Sequence, residues 1–339
     1  MESNGLTVKR LHILSCYDLL LLFLKMIVML SEEFIIKNDD YSGDFDLKIT
    51  MNSGQTSQPP WNSENGKYYE VFNVSNSNVL VEISQESLND DILVNCYSEN
   101  DVDIDEIRKK LFYIFDLDYD ITGVYDFLED NNELKDIYQF NRGLRLFKAQ
   151  FPYECIISSI CSANNSIKRW TKSINDLKKS YGDEIIFNNK KYYLFPKEED
   201  FLNIPDNEDG LKSFGVGYRS SYMLNSTKMI LNDADYHNTI NDLPYYKAFN
   251  KIIELEGVGP KVADCILLYG YNKHEAYPVD VWINRITSYI YFKGQKPSNK
   301  RIMNFAQDKF GEYSGYVQLY LFNYARLSGL TDKLRNNLK

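Results

Sequence analysis

Two residues in this chain are best suited to covalent chemistry: a lysine just inside one helix start and an aspartate at the next. The lysine lies in the segment 249–271, FNKIIELEGVGPKVADCILLYGY. An apolar-periodic helix there ends near Leu255, Gly257-Val258-Gly259 makes a turn, and Pro260 opens a second helix where proline is best tolerated. The spacing predicts a helix-hairpin-helix. Glycines in such a turn let backbone N–H groups approach a phosphate, and the positive end of the second helix adds attraction, so Gly257 and Gly259 are candidate DNA-backbone contacts. Lys261 falls in that helix's first turn, where a cation opposes the macrodipole at a cost of about 0.3 to 1 kcal/mol. The same field favours the neutral amine, which is the nucleophilic form. The plainer alternative is a solvated lysine reaching for phosphate.

Nineteen residues further on, Pro-Val-Asp280 precedes a new apolar-periodic helix. Asp280 reads first as an N-cap. The N–H groups that hold a capping carboxylate also keep it ionised and aimed, so it can equally stabilise positive charge developing on a nearby sugar carbon.

The elements that must position these groups fall into two kinds. FDLKIT, KYYEVFNV, VLVEIS and DILVNC, between about residues 45 and 96, alternate apolar and polar residues between turn signals and predict an antiparallel sheet. From Asp103 the pattern turns helical: IDEIRKKLFYIF, TGVYDFLED and NELKDIYQF each place apolar residues at i, i+3, i+4. Beyond Phe151 it reads as helices joined by short loops. Strands followed by helices give an α+β fold. The expected organisation is an apolar N-terminal extension over 1–33, a sheet-plus-helices domain over 34–150 and a helical domain over 151–335.

Composition limits the function classes. The 339 residues are about two domains long. A net charge of −10 argues against a DNA partner only until it is divided. Residues 1–150 hold 27 acidic and 13 basic side chains, and 151–339 hold 21 and 25, so the helical half is mildly basic. Five scattered cysteines without a CxxC pair indicate neither a disulfide framework nor a zinc knuckle. The apolar run 11–30 is interrupted by Asp18 and Lys25 and followed by no small-residue cleavage site, so neither export nor a membrane partner is expected. Two expectations remain for it: an amphipathic extension packed on the body, or an upstream reading of a chain whose start is Met26 or Met29.

Hairpin, lysine and Pro-Val-Asp together resemble the helix-hairpin-helix glycosylase superfamily with its Gly/Pro-Asp loop. The resemblance narrows to the 8-oxoguanine DNA glycosylases through Ser-Gly54-Gln, the segment Glu154 to Arg169 (ECIISSICSANNSIKR), Gly217-Tyr218-Arg219, Lys261-Val-Ala-Asp-Cys265 and Gly315-Tyr-Val-Gln318-Leu-Tyr-Leu-Phe322. It implies base-excision repair of double-stranded DNA containing 8-oxoguanine, by a monomer acting in the bacterial cytoplasm at the nucleoid, or in the nucleus of a eukaryote. Lys261 would attack C1′ of an everted nucleotide while Asp280 stabilises the sugar cation, and a Schiff base would then permit β-elimination. Gly54 would offer its carbonyl to the N7 hydrogen that separates 8-oxoguanine from guanine. Gln318 and Phe322 share a helix face, one to hydrogen-bond the base edge and one to stack on it. Cys265, one turn after Lys261, would lie against the opposite face of the base. Asn164 would fill the gap left by eversion, Arg169 and Arg219 would address the estranged cytosine, and Tyr218 would wedge the stack. No cofactor is required; backbone carbonyls of Ile253, Leu255 and Val258 would suit a structural cation at the hairpin.

Two departures stand out. Thr-Ser-Gln-Pro-Pro-Trp61 follows Gly54-Gln55 where the family has an aromatic-Arg-Trp pattern, and Trp282 stands where a histidine is common. Other branches fit less well: the iron–sulfur endonuclease III type needs cysteines beyond Cys265, and alkyl-base glycosylases lack the hairpin lysine. An inactive helix-hairpin-helix DNA-binding module, from a different class, would not need both Lys261 and Asp280.

Overall fold

The computed structural model describes residues 29–330 except 208. Residues 1–28, including Met26 and most of the apolar run, lie outside the described residues. Among those described, no helix is long and apolar enough to cross a membrane.

Strands β1 (Leu30–Ile36), β2 (Asn62–Glu64), β3 (Lys67–Val74), β4 (Ser77–Ser84) and β5 (Ile92–Ser98) form one antiparallel sheet in the order β1-β5-β4-β3-β2. β3 and β4 are joined by Ser75 and Asn76, both at positive φ, which is the twist a two-residue hairpin needs. Alternation sends Phe72, Val79, Val81, Ile83 and Val94 into one core and Val71 and Leu80 into another on the opposite face. The first core is closed by helix α2 (Ile104–Ile114) following α1 (Leu47–Met51). The second is closed by a hairpin of β6 (Glu184–Phe187) and β7 (Lys190–Tyr193).

Three features differ from the sequence reading. FDLKIT folds as α1, because Asp46 caps it by accepting the Ile49 N–H at 2.9 Å and Leu47 and Met51 then fall on one buried face. The boundary set at residue 33 cuts through β1, whose residues 30–36 pair with β5. The β6–β7 hairpin interrupts what read as helices joined by short loops; its turn is Asn188-Asn189, both at positive φ, between IIF and KKYY.

The helical body contains α3 (Thr122–Asp130), α4 (Lys135–Phe140), α5 (Pro152–Ser162), α6 (Ile167–Tyr181), α7 (Glu198–Phe201), α8 (Arg219–Leu231), α9 (Tyr236–Asp242), α10 (Tyr245–Ile252), α11 (Pro260–Tyr271), α12 (Val281–Tyr291), α13 (Asn299–Phe310) and α14 (Ser314–Leu327). α3 and α4 share the core of this body: Tyr138 stacks at 6.5 Å from Tyr320, and Asn141 donates to the Tyr320 carbonyl at 3.0 Å. Packing therefore does not follow the boundary placed at 150. Sheet and body are joined by Asp116, buried between Lys148 at 2.7 Å and the Tyr316 hydroxyl at 2.6 Å, and by Tyr113, which donates to the Gly270 carbonyl.

Candidate active site

The hairpin forms as the sequence requires. α10 ends at Ile252, Gly257 takes φ +78°, and Gly259 is the N-cap of α11 with Pro260 in the first turn. The two glycines differ in kind. A Cβ on Gly257 would stand 2.6 Å from the Tyr222 ring, so that glycine serves both the backbone angle and the packing against α8. A Cβ on Gly259 would meet nothing within 4 Å. Its missing side chain is not required by the fold and leaves the N-terminal amides of α11 open. α8 supports the turn from behind, with Ser226 donating to the Glu256 carbonyl at 3.0 Å.

Lys261 points from the first turn of α11 into a cleft whose walls are Gly54, Gln55, Thr56, Lys261, Cys265, Tyr269, Pro278, Asp280, Gln318 and Phe322. Six residues singled out from the sequence, drawn from a loop, two helices and a cap, thus meet in one place. Asp280 caps α12 by accepting the Ile283 N–H at 2.8 Å. Burial raises the pKa of its carboxyl, against the opposing pull of the Ile283 amide and the Lys261 ammonium. Cys265 is buried, and desolvation pushes its thiol up while Lys261 and the Thr56 hydroxyl act the other way, so Lys261 stands near enough to act on both the thiol and the Asp280 carboxyl. Gln318 donates to the Pro278 carbonyl at 3.1 Å, leaving its buried carbonyl oxygen without a partner. An unsatisfied acceptor beside a reactive cluster is an opening for a ligand donor. The cleft is small, about 40 Å³.

A larger, mostly apolar hollow of about 420 Å³ opens on the other side of the α11 first turn, between Phe249, Pro260, Val279 and Met303. It shares Lys261 but none of the base-recognition residues, so its size does not make it the reaction site.

Sequence reasoning missed Gln55, Thr56, Tyr269 and Pro278 as cleft residues. The departure after Gly54 explains the first two. Gln55 donates to the Arg145 carbonyl at 3.0 Å and accepts the Phe147 N–H at 2.8 Å, Ser57 donates to the Phe147 carbonyl, and Gln58 donates to the Lys148 carbonyl at 2.7 Å. Polar side chains thus zip this loop onto 145–148, and Trp61 goes instead into the sheet core. Trp282 packs partly buried on the helical core.

The residues expected on the estranged-base side sit apart from the cleft. Asn164 is exposed in the left-handed region at φ +51°, Arg169 is exposed, and Tyr218 is 57% exposed. Arg219 is placed differently from the expectation. Its guanidinium is buried and donates to the backbone carbonyls of Ala163 (2.7 Å), Asn164 (3.1 Å) and Val216 (3.2 Å), while lying 4.5 Å over the Tyr218 ring. In this structure it holds the Asn164 turn and does not face outward. At the hairpin, the Leu255 carbonyl accepts the Val258 N–H at 3.2 Å and retains a lone pair for a cation.

Residues 39–156 match the family model described as the 8-oxoguanine DNA glycosylase N-terminal domain, and 157–312 match the HhH-GPD superfamily of base excision DNA repair proteins. A probable N-glycosylase/DNA lyase from Methanothermobacter thermautotrophicus is 43% identical over 310 residues, covering 86% of this chain and 97% of that protein. The chain belongs to the 8-oxoguanine DNA glycosylase family of HhH-GPD proteins. The N-glycosylase/DNA lyase of Saccharomyces cerevisiae is 29% identical over 252 residues, 65% of this chain and 66% of that one. Among solved structures, the Clostridium acetobutylicum 8-oxoguanine glycosylase/lyase, in complex with double-stranded DNA containing cytosine opposite 8-oxoG, superposes with a TM-score of 0.75 at 27% identity, covering 89% of this chain and 98% of that one. The five-stranded sheet followed by a helical body is the architecture expected of this glycosylase family.

Proposed function

We propose that this chain excises 8-oxoguanine from duplex DNA and cleaves the resulting abasic site. The observation that carries the reading is the single cleft in which Lys261 and Asp280 meet Gly54, Cys265, Gln318 and Phe322. A DNA-binding module would need the hairpin but not this convergence.

The open amides at Gly259 and the positive end of α11 grip the backbone next to the lesion, and the everted purine enters the cleft between Gly54 and Phe322. Gln318 offers its unpaired carbonyl oxygen to the base edge. The Gly54 carbonyl accepts the N7 hydrogen of the oxidised base. The Lys261 lone pair forms a bond to C1′ as the bond to N9 breaks; the electron pair leaves on the purine, which takes up a proton. Asp280, ionised, stabilises the positive charge passing through the sugar. Loss of the amine proton and ring opening give a Schiff base, and removal of a C2′ proton expels the 3′ phosphate by β-elimination.

Asn164, Arg169 and Tyr218 occupy the vacated stack and read the opposite cytosine; Arg219 joins them by exchanging carbonyl partners for the base. The chemistry calls for no cofactor, and a cation on the Ile253, Leu255 and Val258 carbonyls would brace the hairpin against phosphate. The enzyme works as a monomer at the nucleoid or in the nucleus, wherever its DNA lies.

Borohydride trapping on an 8-oxoguanine:cytosine duplex tests the reading. The expected result is a covalent complex with the wild type and none with Lys261→Gln. Binding without trapping by the wild type would make the chain a DNA-binding module.

A further inference from the structure

Arg326, in the last turn of α14, is absorbed by none of the roles above, yet it touches both walls of the base cleft. Its guanidinium lies 5.6 Å from the centre of the Phe322 ring, one turn earlier on the same helix. One of its Nη groups donates to the Asn52 carbonyl at 2.7 Å, two residues before Gly54. The other occupies the space a Gly54 side chain would need: a Cβ there would stand 2.1 Å from Nη1 and 3.1 Å from Cζ. Gly54 itself sits at φ +79°, so the missing side chain permits both the turn and the close seat of the arginine. No carboxylate pairs with Arg326 among the described residues, and its Nε is buried without a partner. A planar cation is therefore held without a counter-ion, by the Asn52 carbonyl, the Asn323 side-chain oxygen at 3.3 Å, the Phe322 ring and the close seat at Gly54.

We propose that Arg326 is a positioning residue that latches the Gly54 loop to the Phe322 helix and thereby sets the discrimination between 8-oxoguanine and guanine. The inference rests on the reading that Gly54 and Phe322 flank the everted base. The two bases differ at the Gly54 carbonyl by one hydrogen bond, and such a contact discriminates only while the acceptor is held within about half an ångström of its productive place. Arg326 bridges the acceptor loop and the stacking ring. A flexible side chain with one point donor cannot span it in the same way, because only the planar fork reaches carbonyl, glycine and ring together.

The test compares Arg326→Met, which keeps length and apolar volume, and Arg326→Lys, which keeps charge and one donor reach, with the wild type. Three single-turnover rates are measured: base excision from 8-oxoguanine:cytosine duplex, base excision from guanine:cytosine duplex, and strand cleavage at a preformed abasic site opposite cytosine. The last reaction uses Lys261 but no base contact. The expected result is a fall of about tenfold or more in the 8-oxoguanine to guanine ratio for Arg326→Met, partial recovery for Arg326→Lys, and abasic-site cleavage within about twofold of wild type. An unchanged ratio overturns the proposal, whether all rates hold or all fall together as for a loosened fold; if Arg326→Met does not fold, the Arg326→Lys ratio decides. Wild type that cleaves abasic sites but leaves 8-oxoguanine untouched overturns the assignment of the cleft itself, a result separable from failure of the latch.

Discussion

Asp280→Asn separates the two roles that one carboxylate fills. As a cap, Asp280 accepts the Ile283 N–H at 2.8 Å, and asparagine caps about as well as aspartate, whereas alanine costs about 1 kcal/mol. In a chain of this length that loss lowers the melting temperature by about 2 °C. As an ion, Asp280 is half-buried and its pKa is raised by desolvation, so the folded state binds its proton more tightly than the unfolded chain does. Wild-type stability therefore falls as pH climbs from the ordinary carboxylate value through the raised one, and Asp280→Asn escapes this loss. At neutral pH the asparagine variant should melt at or above the wild type. Its excision rate should nevertheless fall about 10²- to 10³-fold, the range for removing one group that stabilises transition-state charge. Wild-type activity should also show an acid limb lying above the usual carboxylate range, because protonation silences the carboxylate. Single-turnover excision of 8-oxoguanine and thermal melting, both followed across pH, provide the assay. An asparagine variant that excises at the wild-type rate would refute the reasoning and leave Asp280 a cap alone.

The hairpin glycines should separate fold from binding. Gly259→Ala, with open space around its Cβ and an ordinary φ, should cost no more than about 1 kcal/mol in stability while weakening duplex affinity in a filter or anisotropy assay. Gly257→Ala, at φ +78° and against Tyr222, should lower the melting temperature as well. Glu154 is buried with one carboxyl oxygen unpartnered, and burial pushes it up to about 7, so its contribution to stability is lost as pH rises from about 4.5 through 7. Glu154→Gln should then be the more stable protein at pH 8, and equal melting temperatures at pH 8 would count against that burial.

Legibility in the sequence followed the range of the interactions concerned. The hairpin was readable because Gly257, Gly259 and Pro260 are local backbone signals, and Asp280 because a cap is a local signal too. β3, β4 and β5 were readable from alternation within each strand. FDLKIT was not, since six residues of alternating pattern carry no weight against one good cap, and it became α1. β1 was hidden because its burial is nearly one-sided and mostly exposed, and only pairing with β5 makes it a strand. The Asn188-Asn189 turn was a signal present in the sequence and passed over.

The cleft shows a different limit. Gly54, Lys261 and Phe322 could be named one by one, but the link between the Gly54 loop and the Phe322 helix could not, because Arg326 has no motif and its partner on that loop, the Asn52 carbonyl, lies 274 residues away along the chain. Arg219 shows the converse. Its place in Gly-Tyr-Arg suggested a base reader, while the structure gives its donors to three backbone carbonyls. A guanidinium carries five N–H groups whose partners are chosen by whichever acceptors the fold brings near. Residue type thus states what Arg219 and Arg326 are able to bond, and only the packing of α5 against α8 and of α14 against the Gly54 loop decides what they do bond. Chemistry that depends on a local turn can be read early; chemistry that depends on an arginine spanning two elements has to wait for the fold.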